Sequence, residues 1–343
     1  MAEACPKNSR KGLILLLFVA TRRVVVIAAG PLWASSMGYS QQFLTVSEAG
    51  AHSVPQTNLP MTFNTIISAA DLAREIGRCV VVDCRHDLFD PAAGPAGYRA
   101  GHIPGAFFLH QDTDLAGPKT GRNGRHPLPE REAIRALLAS LGLSDGGQLV
   151  AYDTSGGQMA VRLWWLARWI GHPEVAVLDG GLAAWQRAGR ELSVEVPVPP
   201  PTGELSLRPS LAPSIDLAGV QAAIASGAPT IVDARTAERY RGEAEPIDPV
   251  AGHIPGAINR PMPQNLQADG CFKPEAVLRA EFAALLGGVA PENVAHHCGS
   301  GIAGCHNILA MEIAGLGGSM LYPGSWSEWC ADPSRPIATG AEP

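Results

Sequence analysis

The 343-residue sequence predicts an α/β protein made of two tandem copies of one domain, each a mostly parallel sheet flanked by helices. Three observations predict it. Gly101-His102-Ile103-Pro104-Gly105-Ala106 recurs letter for letter as Gly252-His253-Ile254-Pro255-Gly256-Ala257. Other matches stand in the same order around it: Val81-Val82-Asp83 with Arg85 against Ile231-Val232-Asp233 with Arg235, and Val177-Leu178-Asp179-Gly180 with Trp185 against Leu321-Tyr322-Pro323-Gly324 with Trp329. A colinear set of this kind marks an internal duplication. Finally, short β-branched runs that do not alternate with polar residues are interleaved with helical patterns, as expected of strands covered on both faces.

Residues 1–60 are set apart from the fold. Their apolar runs, Gly12–Ala20 and Val24–Ala34, are each shorter than the roughly 20 residues a bilayer demands. Joined, they would bring Arg22 and Arg23 near the midplane, so no membrane span is expected. The segment reads as a disordered or signal-like extension, with Lys7, Arg10 and Lys11 as a basic start or Arg22-Arg23 as a twin-arginine pair.

Residues 61–192 form the first copy, opening near Thr65–Ser68. Its strands are expected at Val80–Val82, Leu149–Tyr152 and Glu174–Leu178, and its helices at Glu130–Leu141, Ala160–Ile170 and Ala183–Ala188. Residues 193–214 carry Pro197-Val198-Pro199-Pro200-Pro201 and predict a stiff, extended linker. Residues 215–343 form the second copy, with strands at Thr230–Val232, Val294–His297 and Ser319–Tyr322 and helices at Pro274–Leu286 and Ile302–Ala314.

A net charge of −6 gives the chain no field to hold nucleic acid or an anionic membrane, so neither partner is expected. Seven cysteines, an odd number in no framework spacing, argue for free thiols and a cytoplasmic location, with export as the alternative.

With two equal scaffolds, the differences between them are informative. Aligning the strand end Ala151-Tyr152-Asp153 with Ala295 onward sets Asp153 opposite Cys298. Cys298-Gly299-Ser300-Gly301-Ile302-Ala303 follows a strand and enters a helix, the place where open α/β sheets bind ligands. The glycines let successive N–H groups turn inward, and the helix adds its N-terminal partial charge. Such surroundings favour a thiolate over a thiol, which is the state a sulfur nucleophile needs. The other reading, a small buried hydrophobe, suits the remaining cysteines. Neither His296-His297-Cys298 nor Cys305-His306 has metal-ligand spacing, so no metal and no cofactor is expected. A phosphatase loop, C-x5-R, would need arginine where Gly304 stands.

The repeated strand-Asp, the two HIPGA turns, the second-copy cysteine loop and the closing Gly324-Ser325-Trp326-Ser327-Glu328-Trp329 resemble the tandem-domain rhodanese superfamily. Within it, Cys298-Gly299-Ser300-Gly301 is similar to the loop of the 3-mercaptopyruvate sulfurtransferases, whereas thiosulfate-preferring members carry basic residues after the cysteine. The resemblance implies sulfur transfer from 3-mercaptopyruvate to cyanide, a small thiol or a thioredoxin-like acceptor through a Cys298 persulfide. Thiosulfate as donor is one alternative, and a non-catalytic sulfur-carrier or protein-binding module is another. The first copy is expected to be catalytically silent. The resemblance further implies that Arg239 grips the donor's anionic group, that Ser300 bonds the substrate or shuttles a proton, and that His102 reaches the cleft. The pattern departs at Ala303, usually Thr, and at Asp248, where mercaptopyruvate enzymes often carry a second arginine.

Overall fold

The computed structural model describes residues 62–343, together with an antiparallel pairing of β1 (Val19–Ala20) and β2 (Arg23–Val24). Expectations about residues 1–60 as a disordered or signal-like extension lie otherwise outside the described residues. The chain divides into Met1–Asn58 and a larger unit, Leu59–Pro343, that contains both copies.

In the first copy the elements run β3 (Ile66–Ile67), α1 (Ala69–Glu75), β4 (Cys79–Asp83), α2 (Ala93–Ala100), β5 (Phe107–Phe108), α3 (Arg131–Ser140), β6 (Gln148–Tyr152), α4 (Ala160–Trp169), β7 (Val175–Leu178) and α5 (Gly181–Arg187). Five parallel strands stand in the order β3-β7-β6-β4-β5. The second copy repeats this with α6 (Leu217–Ser226), β8 (Thr230–Asp233), α7 (Ala237–Arg241), β9 (Ile258–Asn259), α8 (Glu275–Leu286), β10 (Val294–His297), α9 (Ala303–Ile313), β11 (Met320–Leu321) and α10 (Ser325–Trp329). Its sheet, also parallel, runs β11-β10-β8-β9. A parallel bridge from Ser214 to Leu321 stands where β3 stands in the first copy.

Every residue of β6, β7 and β10 is buried, as strands covered on both faces require. The expected helix at Ile302–Ala314 is α9, and the one at Ala160–Ile170 is α4. These two helices pack on each other and share one apolar core, which takes in Trp164, Trp165, Leu309 and Met311. Residues 193–214 lie along the first copy instead of spanning free space. Gly203 N–H donates to the Ala139 carbonyl and Arg208 N–H to that of Ile170, and Leu205 and Ala212 are buried.

The repeated motifs have a common structural purpose. Asp83 and Asp233 each hold the arginine two residues on, and those guanidiniums reach Gly101 O at 2.8 Å and Gly252 O at 2.7 Å. The strand end is thereby tied to the start of the HIPGA turn. Burial alone would raise the Asp233 carboxyl, but the Arg235 guanidinium wins and holds it down at about 2.

Candidate active site

β10 pairs with β8 in register, His297 opposite Asp233, so Cys298 sits just past the carboxyl end of the sheet's interior. The loop that follows turns back at once because Gly301 has φ +79°. A β-carbon there would fall 2.4 Å from the Pro323 carbonyl oxygen. Only glycine fits both conditions. The turn aims two main-chain donors at the sulfur: Ser300 N–H at 3.4 Å and Gly301 N–H at 3.2 Å from Cys298 Sγ. α9 begins at Ala303 and presents its N-terminal end to the same loop. The loop is also held from outside, since Trp326 N–H donates to Cys298 O and Ser327 N–H to Gly299 O, both at 2.9 Å. Cys298 N–H donates to Ser325 Oγ at 3.2 Å.

Cys298 lies on the wall of a cleft of about 170 Å³ lined by both copies. Leu88, Arg125, Gln158 and Met159 come from the first; Arg235, Arg239, Met262 and the cysteine loop come from the second. Gly299 leaves room for two guanidiniums: a β-carbon there would be 3.0 Å from Arg125 Nη2 and 3.5 Å from both terminal nitrogens of Arg239. Asp248 accepts from both arginines, and Glu245 accepts from Arg239 at 2.6 Å. The pair is thus pre-oriented, with fork-shaped donors suited to a carboxylate.

The Ser300 hydroxyl faces His126 Nδ1 at 2.8 Å, and His126 Nε2 faces Asp112 Oδ1 at 3.0 Å. Burial drives the His126 imidazole down to about 3, helped by the Arg162 and Arg125 cations and opposed by Asp112. The ring is therefore neutral at ordinary pH. The Asp112 carboxyl, held below its usual range against its own burial by Lys119 and the histidines, is an acceptor, so Nε2–H donates to it. Nδ1 is left as an acceptor for the Ser300 hydroxyl. Beneath the loop, the fully buried Arg162 donates to Gly301 O at 3.2 Å and to the carbonyls of Leu115, His126 and Pro127. This cation of the first copy fixes both the cysteine loop and the His126 segment.

The Rhodanese-like domain family matches residues 68–188 and 216–332. The chain belongs to the rhodanese family. A Pseudomonas aeruginosa protein named "Probable 3-mercaptopyruvate sulfurtransferase" is 43% identical over 291 residues, covering 82% of this chain and all of that one. A Mycobacterium tuberculosis protein named for thiosulfate sulfurtransferase is 37% identical over 282 residues, covering 80% and 97%. Among solved structures, the 3-mercaptopyruvate sulfurtransferase of Leishmania major superposes with a TM-score of 0.70 at 27% identity, covering 78% of this chain and 74% of that one. This rhodanese is an enzyme of the sulfurtransferase type.

The rhodanese fold brings Cys298, Gly299, Ser300, Ile302, Ala303 and Arg239 to one cleft, with Gly301 turning the loop beneath it. It does not bring His102 there. That ring is fully buried, stacked on Tyr98 at 3.9 Å between centroids, with Nδ1 against Tyr98 O and Nε2 against Glu195 O. His253 stacks on Tyr240 in the same way and meets its carbonyl, so both histidines build the turn. Of the five N–H groups from Gly299 to Ala303, those of Ser300 and Gly301 reach Sγ. Sequence reasoning missed Arg125, His126, Asp112 and Arg162, all from the first copy. Asp248, where a second arginine was looked for, instead anchors Arg125, which supplies that second cation from across the cleft. Among the described residues no helix is long and apolar enough to cross a membrane.

Proposed function

We propose that this sulfurtransferase takes sulfur from 3-mercaptopyruvate onto Cys298 and passes it, as the outer atom of a persulfide, to cyanide or a thiol. One observation carries the reading: two main-chain N–H groups converge on Cys298 Sγ inside a cleft overhung by Arg125 and Arg239. The arginines hold the donor's carboxylate. The Cys298 thiolate attacks the donor sulfur, the C–S bond breaks, and its electron pair goes to the methylene carbon. Net, the donor's thiol proton must end on that carbon, giving pyruvate and a Cys298 persulfide anion. Ser300, backed by neutral His126 and Asp112, is placed to relay it. The main-chain donors stabilise the anionic sulfur before and after transfer.

Two cations over Gly299 also favour a second reading, with doubly charged thiosulfate as donor. The two readings differ in protons: thiosulfate loses sulfite without any proton moving, so the Ser300–His126 relay is idle there. Mixing the protein with 3-mercaptopyruvate and weighing it by mass spectrometry should reveal one added sulfur atom, removed by reductant and absent in Cys298→Ser. Ser300→Ala should then lower kcat/KM for 3-mercaptopyruvate about 10²-fold or more, the reach of acid–base catalysis, and leave thiosulfate turnover nearly unchanged. No adduct from either donor on a folded protein would overturn the enzymatic reading.

A further inference from the structure

His126 and Asp112 belong to a larger cluster that sulfur transfer does not use up. His86, three residues beyond the end of β4, places Nε2 3.6 Å from Asp112 Oδ2, while His126 Nε2 stands 3.0 Å from Asp112 Oδ1. One ligand atom from each of the three residues falls within 4.8 Å of the others. The His86 side chain is 1% exposed, yet neither ring nitrogen makes a hydrogen bond, and Nδ1 is buried without a partner. A histidine so placed gains nothing from its polarity in this structure. Both imidazoles are pushed down by burial and stay neutral, the form that ligates.

We propose that His86, Asp112 and His126 form a binding site for a divalent transition metal of the zinc type, and that filling it arrests sulfur transfer. Two imidazoles and one carboxylate are borderline ligands that suit zinc over calcium or magnesium, which prefer oxygen. Metal–ligand bonds of about 2.0–2.2 Å imply tetrahedral edges of roughly 3.3–3.6 Å. Asp112 reaches His126 through Oδ1 at 3.0 Å and His86 through Oδ2 at 3.6 Å. With one ligand atom from each residue the three lie within 4.8 Å of one another, so binding draws them together by at most about 1.5 Å. Asp112 is 26% exposed, which gives an ion access and leaves a fourth position for water. Lys119 now holds Asp112 Oδ1 at 3.1 Å, but that lysine is half-exposed and can swing into solvent at little cost. His110 does not compete for the metal, since its Nδ1 accepts from Asp112 N–H.

The arrest follows from the tautomer. A metal on His126 Nε2 moves the ring proton to Nδ1, which then donates to Ser300 Oγ and can no longer accept from it. This consequence rests on the proton relay proposed above; metal binding itself does not. The sequence pattern gave no sign of the site, because its three ligands come from separate irregular stretches around β4 and β5.

The test is titration of the metal-free full-length protein with Zn²⁺ against a chromophoric chelator, and with Co²⁺ by visible absorption. Wild type, Cys298→Ser, His86→Ala and His86→Phe are compared; the phenylalanine preserves the buried volume, and circular dichroism checks each fold. One equivalent should bind to wild type and Cys298→Ser alike, with affinity at least about tenfold lower in both His86 variants. Buffered free zinc should inhibit 3-mercaptopyruvate turnover by wild type, reversibly with chelator, and spare the His86 variants, whose metal-free activity should equal wild type. No stoichiometric binding, binding indifferent to His86, or binding lost in Cys298→Ser would overturn the site. Binding through His86 without inhibition would overturn the arrest and with it the relay.

Discussion

Replacing Arg239 with alanine separates donor recognition from structure. Its guanidinium stands over Gly299 and is steadied by Glu245 at 2.6 and 3.1 Å and by Asp248 at 3.1 Å. Removing it strands neither carboxylate. Glu245 keeps Arg235 at 3.3 Å and the N–H groups of Ile247 and Asp248, and Asp248 keeps Arg125. The fold should therefore lose only about 1 kcal/mol. A hydrogen bond from a charged group is worth roughly 1.5–3 kcal/mol, so a donor carboxylate deprived of Arg239 should lose about 10- to 150-fold in kcat/KM. In a double-displacement reaction each kcat/KM reports its own half-reaction. Varying 3-mercaptopyruvate at fixed cyanide, then cyanide at fixed 3-mercaptopyruvate, should show the loss in the first series and less than about twofold change in the second. Equal losses in both series, or none in either, would refute the assignment of Arg239 to the donor.

Three further outcomes can be checked. Cys298→Asp should abolish sulfur transfer yet melt at or above Cys298→Ser, because the loop would receive a carboxylate as the first copy does; a clearly lower Tm would deny that the loop is an anion cradle. Gly301→Ala, with φ at +79° and its β-carbon 2.4 Å from Pro323 O, should cost more than about 2 kcal/mol in urea unfolding and most of the activity. Finally, stability should fall on acidification below pH 6.5. His126 and His296 are held at about 3 and His306 at about 4, all by burial, so between pH 6.5 and 4 the unfolded chain binds protons the folded one refuses. Three such groups give at most about 4 kcal/mol per pH unit, offset in part by Asp179 and Asp248, whose carboxyls burial raises. A Tm that stays flat from pH 6 to 4.5 would contradict the neutral burial of these rings.

The duplicated architecture was legible because it repeats long, buried strands and whole motifs. The two-residue strands β3, β5 and β9 were not, since two residues carry no period, whereas β11 falls inside the strand expected at Ser319–Tyr322. The loop around Cys298 could be read because its geometry is local: a strand end, two glycines and a helix start lie within a few residues. His126 could not, because its partner Ser300 is 174 positions away and the stretch Leu109–Glu130 contains neither helix nor strand. One signal was available. Between the HIPGA turn and the next long helix the first copy is longer than the second, ending at Arg131 against Glu275, and the extra length carries Lys119, Arg122, Arg125 and His126. His102 shows the opposite failing. A residue repeated identically in both copies is best explained by what both copies need, and both need the turn.

The first copy is an internal control for the second. At the position of Cys298 it buries Asp153, whose Oδ1 accepts from Ser155 and Gly157 N–H at 2.9 Å and whose Oδ2 accepts from Met159 and Ala160 N–H at 2.7 and 3.0 Å. The loop is therefore built to surround an anion with main-chain donors, and in the first copy a fixed carboxylate occupies it permanently. The same comparison reaches the residue that supports each loop from behind. Gly181 opens α5 with φ +57°, and Ser325 opens α10 with φ +55°, the single described non-glycine residue in that region. A side chain held there costs roughly 1–2 kcal/mol. The first copy avoids the cost with glycine, whereas the copy with the thiol accepts it, and Ser325 Oγ accepts a hydrogen bond from Cys298 N–H while donating to Tyr322 O. Backbone strain and the cradled Cys298 thiol thus fall in the same half of the molecule, where anchoring the thiol's own backbone matters more than the stability given up.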